Sequence, residues 1–286
     1  MSLSEAAPLV STKWLADHLD APDVRVVDAT WHLPSENRNA FDEYREAHIP
    51  GAVFFDIDEI ADTECGLPHM LPSPTLFSSR ARKLGLGSGN KIVVYDAKGL
   101  FSAARVWWMF RVMGHQDVCV LDGGLPKWRS DGLPVEDLAP RPRERHFMAR
   151  VNRELVRDID QVKLASTNGQ EQIFDARGTG RFKGEEPEPR EGSRAGHIPG
   201  SANVPYASLL NDDGTVKPVE ELRALFDEAN LDFNRPVIAS CGSGVTACML
   251  TLALELLGKT DVAVYDGSWS EWGRHPDVDV ETSVTP

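Results

Sequence analysis

Pro236-Val-Ile-Ala-Ser-Cys-Gly-Ser-Gly-Val-Thr-Ala-Cys248 joins a short apolar run to a glycine-rich turn and then to a helical pattern. From Val245 to Leu257 the apolar residues Met249, Leu252, Ala253, Leu256 and Leu257 fall on one helical face. The segment therefore reads as strand, turn, helix, the building unit of a parallel α/β sheet. Similar β-branched runs occur at Arg25–Val27, Ile92–Tyr95, Val118–Leu121, Ile173–Phe174 and Val262–Tyr265, with helical patterns over Phe101–Met113 and Pro218–Ala229.

The same phrases occur twice. Lys91-Ile-Val-Val-Tyr-Asp96 answers Pro236-Val-Ile-Ala-Ser-Cys241 at an offset of 145; Asp28 answers Asp175 at 147. His48-Ile-Pro-Gly-Ala52 answers His197-Ile-Pro-Gly-Ser201 at 149, and Val120-Leu-Asp-Gly-Gly124 answers Val264-Tyr-Asp-Gly-Ser268 at 144. Four anchors in one order, within a five-residue spread of offsets, indicate a tandem duplication. Between the copies, Leu133–Arg145 is rich in proline and charge and lacks apolar periodicity, as a connecting segment does. The expected layout is one domain over 9–135, a linker over 136–155 and a second domain over 156–282.

Composition narrows the function classes. Of 286 residues, 30 are Lys or Arg and 44 are Asp or Glu, a net charge of −14 that repels phosphate backbones and anionic membranes. No apolar run approaches the ~20 residues of a membrane span. The first ten residues lack the features of a secretory or transit leader, so the expected compartment is the cytoplasm. The four cysteines, Cys65, Cys119, Cys241 and Cys248, have neither disulfide-lattice nor metal-site spacing. No metal and no organic cofactor is expected.

Cys241 stands out because it follows the carboxyl end of a predicted strand, where open α/β sheets place ligands. Gly242 and Gly244, with Val245 and Thr246 after them, let successive backbone N–H groups turn toward one point, and the next helix directs its positive end there. Such a cradle stabilises an anion, here the Cys241 thiolate, whose pKa is expected to fall below the ~8.5 of a free thiol. Cys119 in a strand and Cys248 in a helix read as core residues; Cys65 in a loop is undecided.

The paired domains, the two His-Ile-Pro-Gly phrases and the Cys-Gly-Ser-Gly-Val-Thr loop together resemble the rhodanese-type sulfurtransferases, and among them the 3-mercaptopyruvate sulfurtransferases. The resemblance runs from about Leu9 to about Val280. It implies an α/β fold of two tandem rhodanese-like domains, with sulfur carried as a persulfide on Cys241. Asp96 stands at the aligned position of the first copy and cannot carry sulfur, which makes that half catalytically silent. The resemblance further implies substrate binding by Arg181 and Arg190, and a proton relay of Ser243, Asp58 and His69. Asp56 competes with Asp58 for the relay, and His48 and His197 read as structural.

The loop also separates neighbouring chemistries. A cysteine-based phosphatase needs an arginine closing the loop after five intervening residues, to fork onto phosphate, and Ala247 stands there. Thiosulfate-preferring relatives resemble Cys-Arg-Lys-Gly-Val-Thr; here Gly242 and Ser243 replace the two cations. Neutral residues suit a donor whose charge lies far from the transferred sulfur, as in 3-mercaptopyruvate. The expected acceptor is a thiol such as thioredoxin, or cyanide. The alternatives are a thiosulfate:cyanide sulfurtransferase and a non-enzymatic rhodanese binding module.

Overall fold

The computed structural model describes residues 7–138 and 140–282. The first six residues, read above for a leader, and Ala139 of the expected linker lie outside the described residues. The described residues form two compact units: one holds 7–62, 71–152 and 211–216, and the other holds 63–70, 153–210 and 217–282. Each sequence half thus contributes one short segment to the other unit.

The first unit contains β1 (Leu9–Val10), β2 (Val24–Asp28), β3 (Val53–Phe54), β4 (Lys91–Tyr95) and β5 (Val118–Leu121), in the order β1-β5-β4-β2-β3. The second contains β6 (Val156–Arg157), β7 (Gln172–Asp175), β8 (Ala202–Asn203), β9 (Val237–Ser240) and β10 (Val262–Tyr265), in the order β6-β10-β9-β7-β8. Every pairing is parallel, and the two orders are the same, so the duplication read from the sequence is a duplication of topology. The β-branched runs form the buried central strands, since a parallel sheet covered on both faces needs continuous apolar residues. Strands β1, β3, β6 and β8 have two residues each, too few to show a period.

Helices α1 (Thr12–His18), α2 (Ala40–Glu46), α3 (Pro74–Lys83), α4 (Ala103–Val112) and α5 (Gly124–Ser130) belong to the first unit. Helices α6 (Ile159–Asn168), α7 (Thr179–Lys183), α8 (Val219–Glu228), α9 (Ala247–Leu256) and α10 (Ser268–Trp272) belong to the second. Helix α9 differs from the one-sided reading: every residue from Ala247 to Leu254 is buried, whereas Leu256 and Leu257 are half-buried. A helix apolar on all sides is one buried on all sides. No helix among the described residues is long and apolar enough to cross a membrane.

The two His-Ile-Pro-Gly turns are held alike. His48 stacks on Tyr44 at 4.2 Å and its Nδ1 donates to the Tyr44 carbonyl at 2.7 Å. His197 stacks on Phe182 at 3.9 Å and its Nδ1 donates to the Phe182 carbonyl at 2.8 Å. The segment leaving the first sheet stays on that unit: Arg150 N–H donates to the Met113 carbonyl, and Phe147 is buried against Phe77 and Phe110.

Chain entry to the second unit is fixed by a reciprocal cap on α6. Asp158 Oδ1 accepts the Gln161 N–H at 2.9 Å while Gln161 Oε1 accepts the Asp158 N–H at 3.0 Å. Asp158→Ala is expected to lower stability by ~1 kcal/mol, the usual worth of such a cap. Urea unfolding checks it; an unchanged midpoint would contradict this role.

Candidate active site

Strand β9 ends at Ser240, and Cys241 opens the turn that leads into α9. The turn is fixed from outside by α10. Trp269 N–H donates to the Cys241 carbonyl at 2.9 Å, and Ser270 donates to the Gly242 carbonyl through its N–H at 2.9 Å and its Oγ at 2.6 Å. With both carbonyls drawn to α10, the N–H groups that follow are available to line the inner side of the turn. Cys241 itself is 1% exposed.

Ser268 supplies a further support. Its Oγ accepts the Cys241 N–H at 3.1 Å and donates to the Tyr265 carbonyl at 2.8 Å. Ser268 has φ +49°, a left-handed conformation that its counterpart Gly124, at φ +52°, adopts without a side chain. A serine persists at a position suited to glycine because its hydroxyl bridges two buried backbone groups. Ser268→Gly would relieve the backbone but leave both groups without that bridge. The expected result is a roughly three- to tenfold fall in turnover, ~1 kcal/mol of lost positioning, with little change in melting temperature. Turnover equal to wild type would contradict it.

The first unit displays what this type of turn holds. There the Asp96 carboxylate accepts N–H groups of Lys98 at 2.8 Å, Phe101 at 2.7 Å and Ala103 at 2.9 Å. Its turn also contains a left-handed glycine, Gly99 at φ +100°, matching Gly244 at φ +75°. An anion collecting converging N–H groups is the arrangement expected of a strand-to-helix nest. In the first unit a carboxylate of the chain itself occupies that nest.

Arg181 and Arg190 reach the Cys241 turn. A Cβ added to Gly242 would lie 3.3 Å from one Arg181 terminal nitrogen and 3.7 Å from one of Arg190. Position 242 lacks a side chain where two guanidinium groups approach the backbone. Arg181 is held by Glu188, with Nη2 2.5 Å from Oε2, and Glu188 also takes Arg177 at 2.7 Å. Among the described residues Arg190 pairs with no carboxylate. Burial holds the Arg190 guanidinium below its ordinary pKa, nearby Cys241 opposes the shift, and Arg181 adds to it. Two arginines converging on one turn, one of them without a carboxylate partner among the described residues, have the chemistry to receive an anion.

The other residues singled out from the sequence are distributed as follows. Ser243, Val245 and Thr246 are buried in the turn. His69 is buried at φ +60° and belongs to the second unit, with Cys241 and both arginines. Asp58 belongs to the first unit, is exposed, and accepts Trp31 Nε1–H at 2.9 Å. Asp56 Oδ1 accepts the N–H groups of Asp58 and Glu59, so that carboxylate is engaged in its own turn. Burial pushes the Cys119 thiol up to about 12. Cys248 Sγ lies 3.2 Å from the Gly244 carbonyl inside the helix, and Cys65 is exposed.

Sequence reasoning did not find Glu188, Ser268 or Ser270. Glu188 stands among Glu185, Glu186 and two prolines, a composition that reads as a solvated loop. Its side chain is instead only 4% exposed. Ser268 carried one signal, the change from Gly124 in an otherwise matching phrase.

The rhodanese-like domain family model matches residues 11–131 and again 158–275. The chain is 45% identical to the 3-mercaptopyruvate sulfurtransferase of Homo sapiens, over 92% of this chain and 91% of that one. It is 47% identical to the thiosulfate sulfurtransferase of Rattus norvegicus, over 93% and 92%. It superposes with a TM-score of 0.85 on the crystal structure of SseA from Escherichia coli, a 3-mercaptopyruvate sulfotransferase by its description, at 43% identity over 93% of this chain and 100% of that one.

Proposed function

We propose, because this chain belongs to the tandem-domain rhodanese family of the 3-mercaptopyruvate sulfurtransferases, that it moves sulfur from 3-mercaptopyruvate to an acceptor through a persulfide on Cys241. The Cys241 thiolate attacks the donor sulfur, and the carbon–sulfur bond breaks with its electron pair going to carbon. Pyruvate leaves as its enolate and takes a proton. The outer sulfur then passes to a thiol such as thioredoxin, or to cyanide. Storing the sulfur on the enzyme divides one difficult transfer into two steps.

The observation that carries this reading is the pair of unlike occupants of two like turns. Asp96 places a fixed anion among converging N–H groups, while the second turn offers a nucleophile with Arg181 and Arg190 beside it. A persulfide anion suits the N–H groups, and the donor's carboxylate and keto oxygen suit the guanidinium groups. Ser243, His69 and Asp58 serve the proton relay, with Asp56 as the competing carboxylate; Asp56 Oδ1 takes two backbone N–H groups and Asp58 Oδ2 takes Trp31 Nε1–H. Four free thiols fit a reducing compartment, for which we assign the cytoplasm.

One observation favours a second donor. The guanidinium groups lie against Gly242, beside the nucleophile, where they can also meet the sulfonate of thiosulfate. Comparing kcat/KM for the two donors tests the choice. A higher value for 3-mercaptopyruvate is expected. A higher value for thiosulfate would overturn the donor assignment and keep the sulfurtransferase.

A further inference from the structure

The buried Arg177 of the second unit has no arginine counterpart in the first. Its guanidinium takes Asp175 Oδ2 at 2.7 Å, the Gly196 carbonyl at 2.8 Å and Glu188 Oε1 at 2.7 Å, and lies 4.2 Å over the Trp269 ring. The repeat offsets identify the matching positions in the first unit. Asp175 answers Asp28, Arg177 answers Thr30, Gly196 answers Ala47, and Trp269 answers Leu125. The local backbone agrees, because Thr30 N–H donates to Asp28 Oδ1 at 2.9 Å as Arg177 N–H does to Asp175 Oδ1 at 2.8 Å.

All four matching residues line one cavity of about 530 Å³, which lies wholly within the first unit. That volume is within the range of small-molecule sites. Where the second unit has arginine and tryptophan the first has threonine and leucine, so these two side chains occupy less of the space here. Asp28 is 1% exposed, and among the described residues no lysine or arginine pairs with it. Its carboxyl is instead raised from the usual range, chiefly by burial, with Thr30 opposing the shift. At the rim, Arg129 and Glu46 are exposed, while Arg38 is committed to Glu43 at 2.7 and 2.8 Å.

We propose that this cavity binds a small guanidinium amino acid, its head on Asp28 where the second unit keeps the Arg177 guanidinium, and its carboxylate toward Arg129. In the other copy a planar guanidinium lies on Asp175 and the Gly196 carbonyl, the counterparts of Asp28 and Ala47, with Glu188 as a further partner that the first unit does not repeat. The apolar stem of such a ligand would pass Leu125 and Pro126, which line the same cavity. An acid at the floor and a base at the rim select a zwitterion with its cation inward.

Titration calorimetry on the full chain, with L-arginine, agmatine and L-lysine as probes, tests this. L-arginine is expected to bind saturably at one site per chain, and more tightly than the other two. Asp28→Asn is expected to weaken binding at least tenfold. Thr30→Arg, which restores the second unit's own guanidinium, is expected to abolish it. Both variants should keep wild-type sulfur transfer and circular dichroism, since neither residue belongs to the Cys241 site. Absence of saturable binding to the wild type would overturn the proposal. So would L-arginine affinity unchanged in folded Asp28→Asn or Thr30→Arg, the result expected if a cation merely collects on an acidic surface. L-lysine binding as tightly as L-arginine would overturn the guanidinium assignment.

Discussion

Cys241→Ser is expected to abolish sulfur transfer, whereas Cys65→Ser, Cys119→Ser and Cys248→Ser should each retain most of it. A serine hydroxyl can occupy the turn, but it is neither an anion at neutral pH nor able to form a persulfide. The expected loss is at least about a thousandfold, or ~4 kcal/mol of transition-state stabilisation. Cys119 is held protonated by burial, and Cys248 is turned toward the Gly244 carbonyl within α9. Steady-state assays of the four variants decide the matter. Full inactivation in one of the other three, with Cys241→Ser active, would remove the site assignment.

Arg190→Ala and Arg181→Ala are expected to lower kcat/KM for 3-mercaptopyruvate by roughly ten- to a hundredfold each. That is the ~1.5–3 kcal/mol of one charge-assisted contact. The two variants should differ in a second respect. Arg181 is tied to the buried Glu188, so removing it also withdraws one partner from that carboxylate. Arg190 has no such tie among the described residues. Arg181→Ala should therefore melt at a lower temperature than wild type, while Arg190→Ala should not. Equal melting temperatures, or kcat/KM unchanged in both variants, would contradict this division of roles.

The duplication was legible because each half spends its β-branched residues on the same buried strands and closes them with the same Asp-Gly turns. The outer strands were not, since a two-residue strand such as Leu9–Val10 has no period. Cys241 was singled out by its place after a predicted strand and by the glycines that follow it, both local properties. Glu188 and Ser270 act across folded distance, and nothing beside them in the chain marks them as partners of Arg181 or the Gly242 carbonyl. The arginines were found by resemblance, but their approach to Gly242 was not. Only the folded turn brings two guanidinium groups to within 3.3 and 3.7 Å of where a Gly242 Cβ would stand. The cavity over Asp28 corresponds to the place that Arg177 takes in the other copy, a relation that no single stretch of sequence carries.

The most direct measurement is the intact mass of the chain after 3-mercaptopyruvate is added with no acceptor present. Persulfide formation at a single cysteine predicts an added mass of ~32 Da per chain, removed by a thiol or cyanide and absent in Cys241→Ser. Two added sulfurs, or one that maps to a peptide before residue 153, would contradict a single nucleophile and a silent first half.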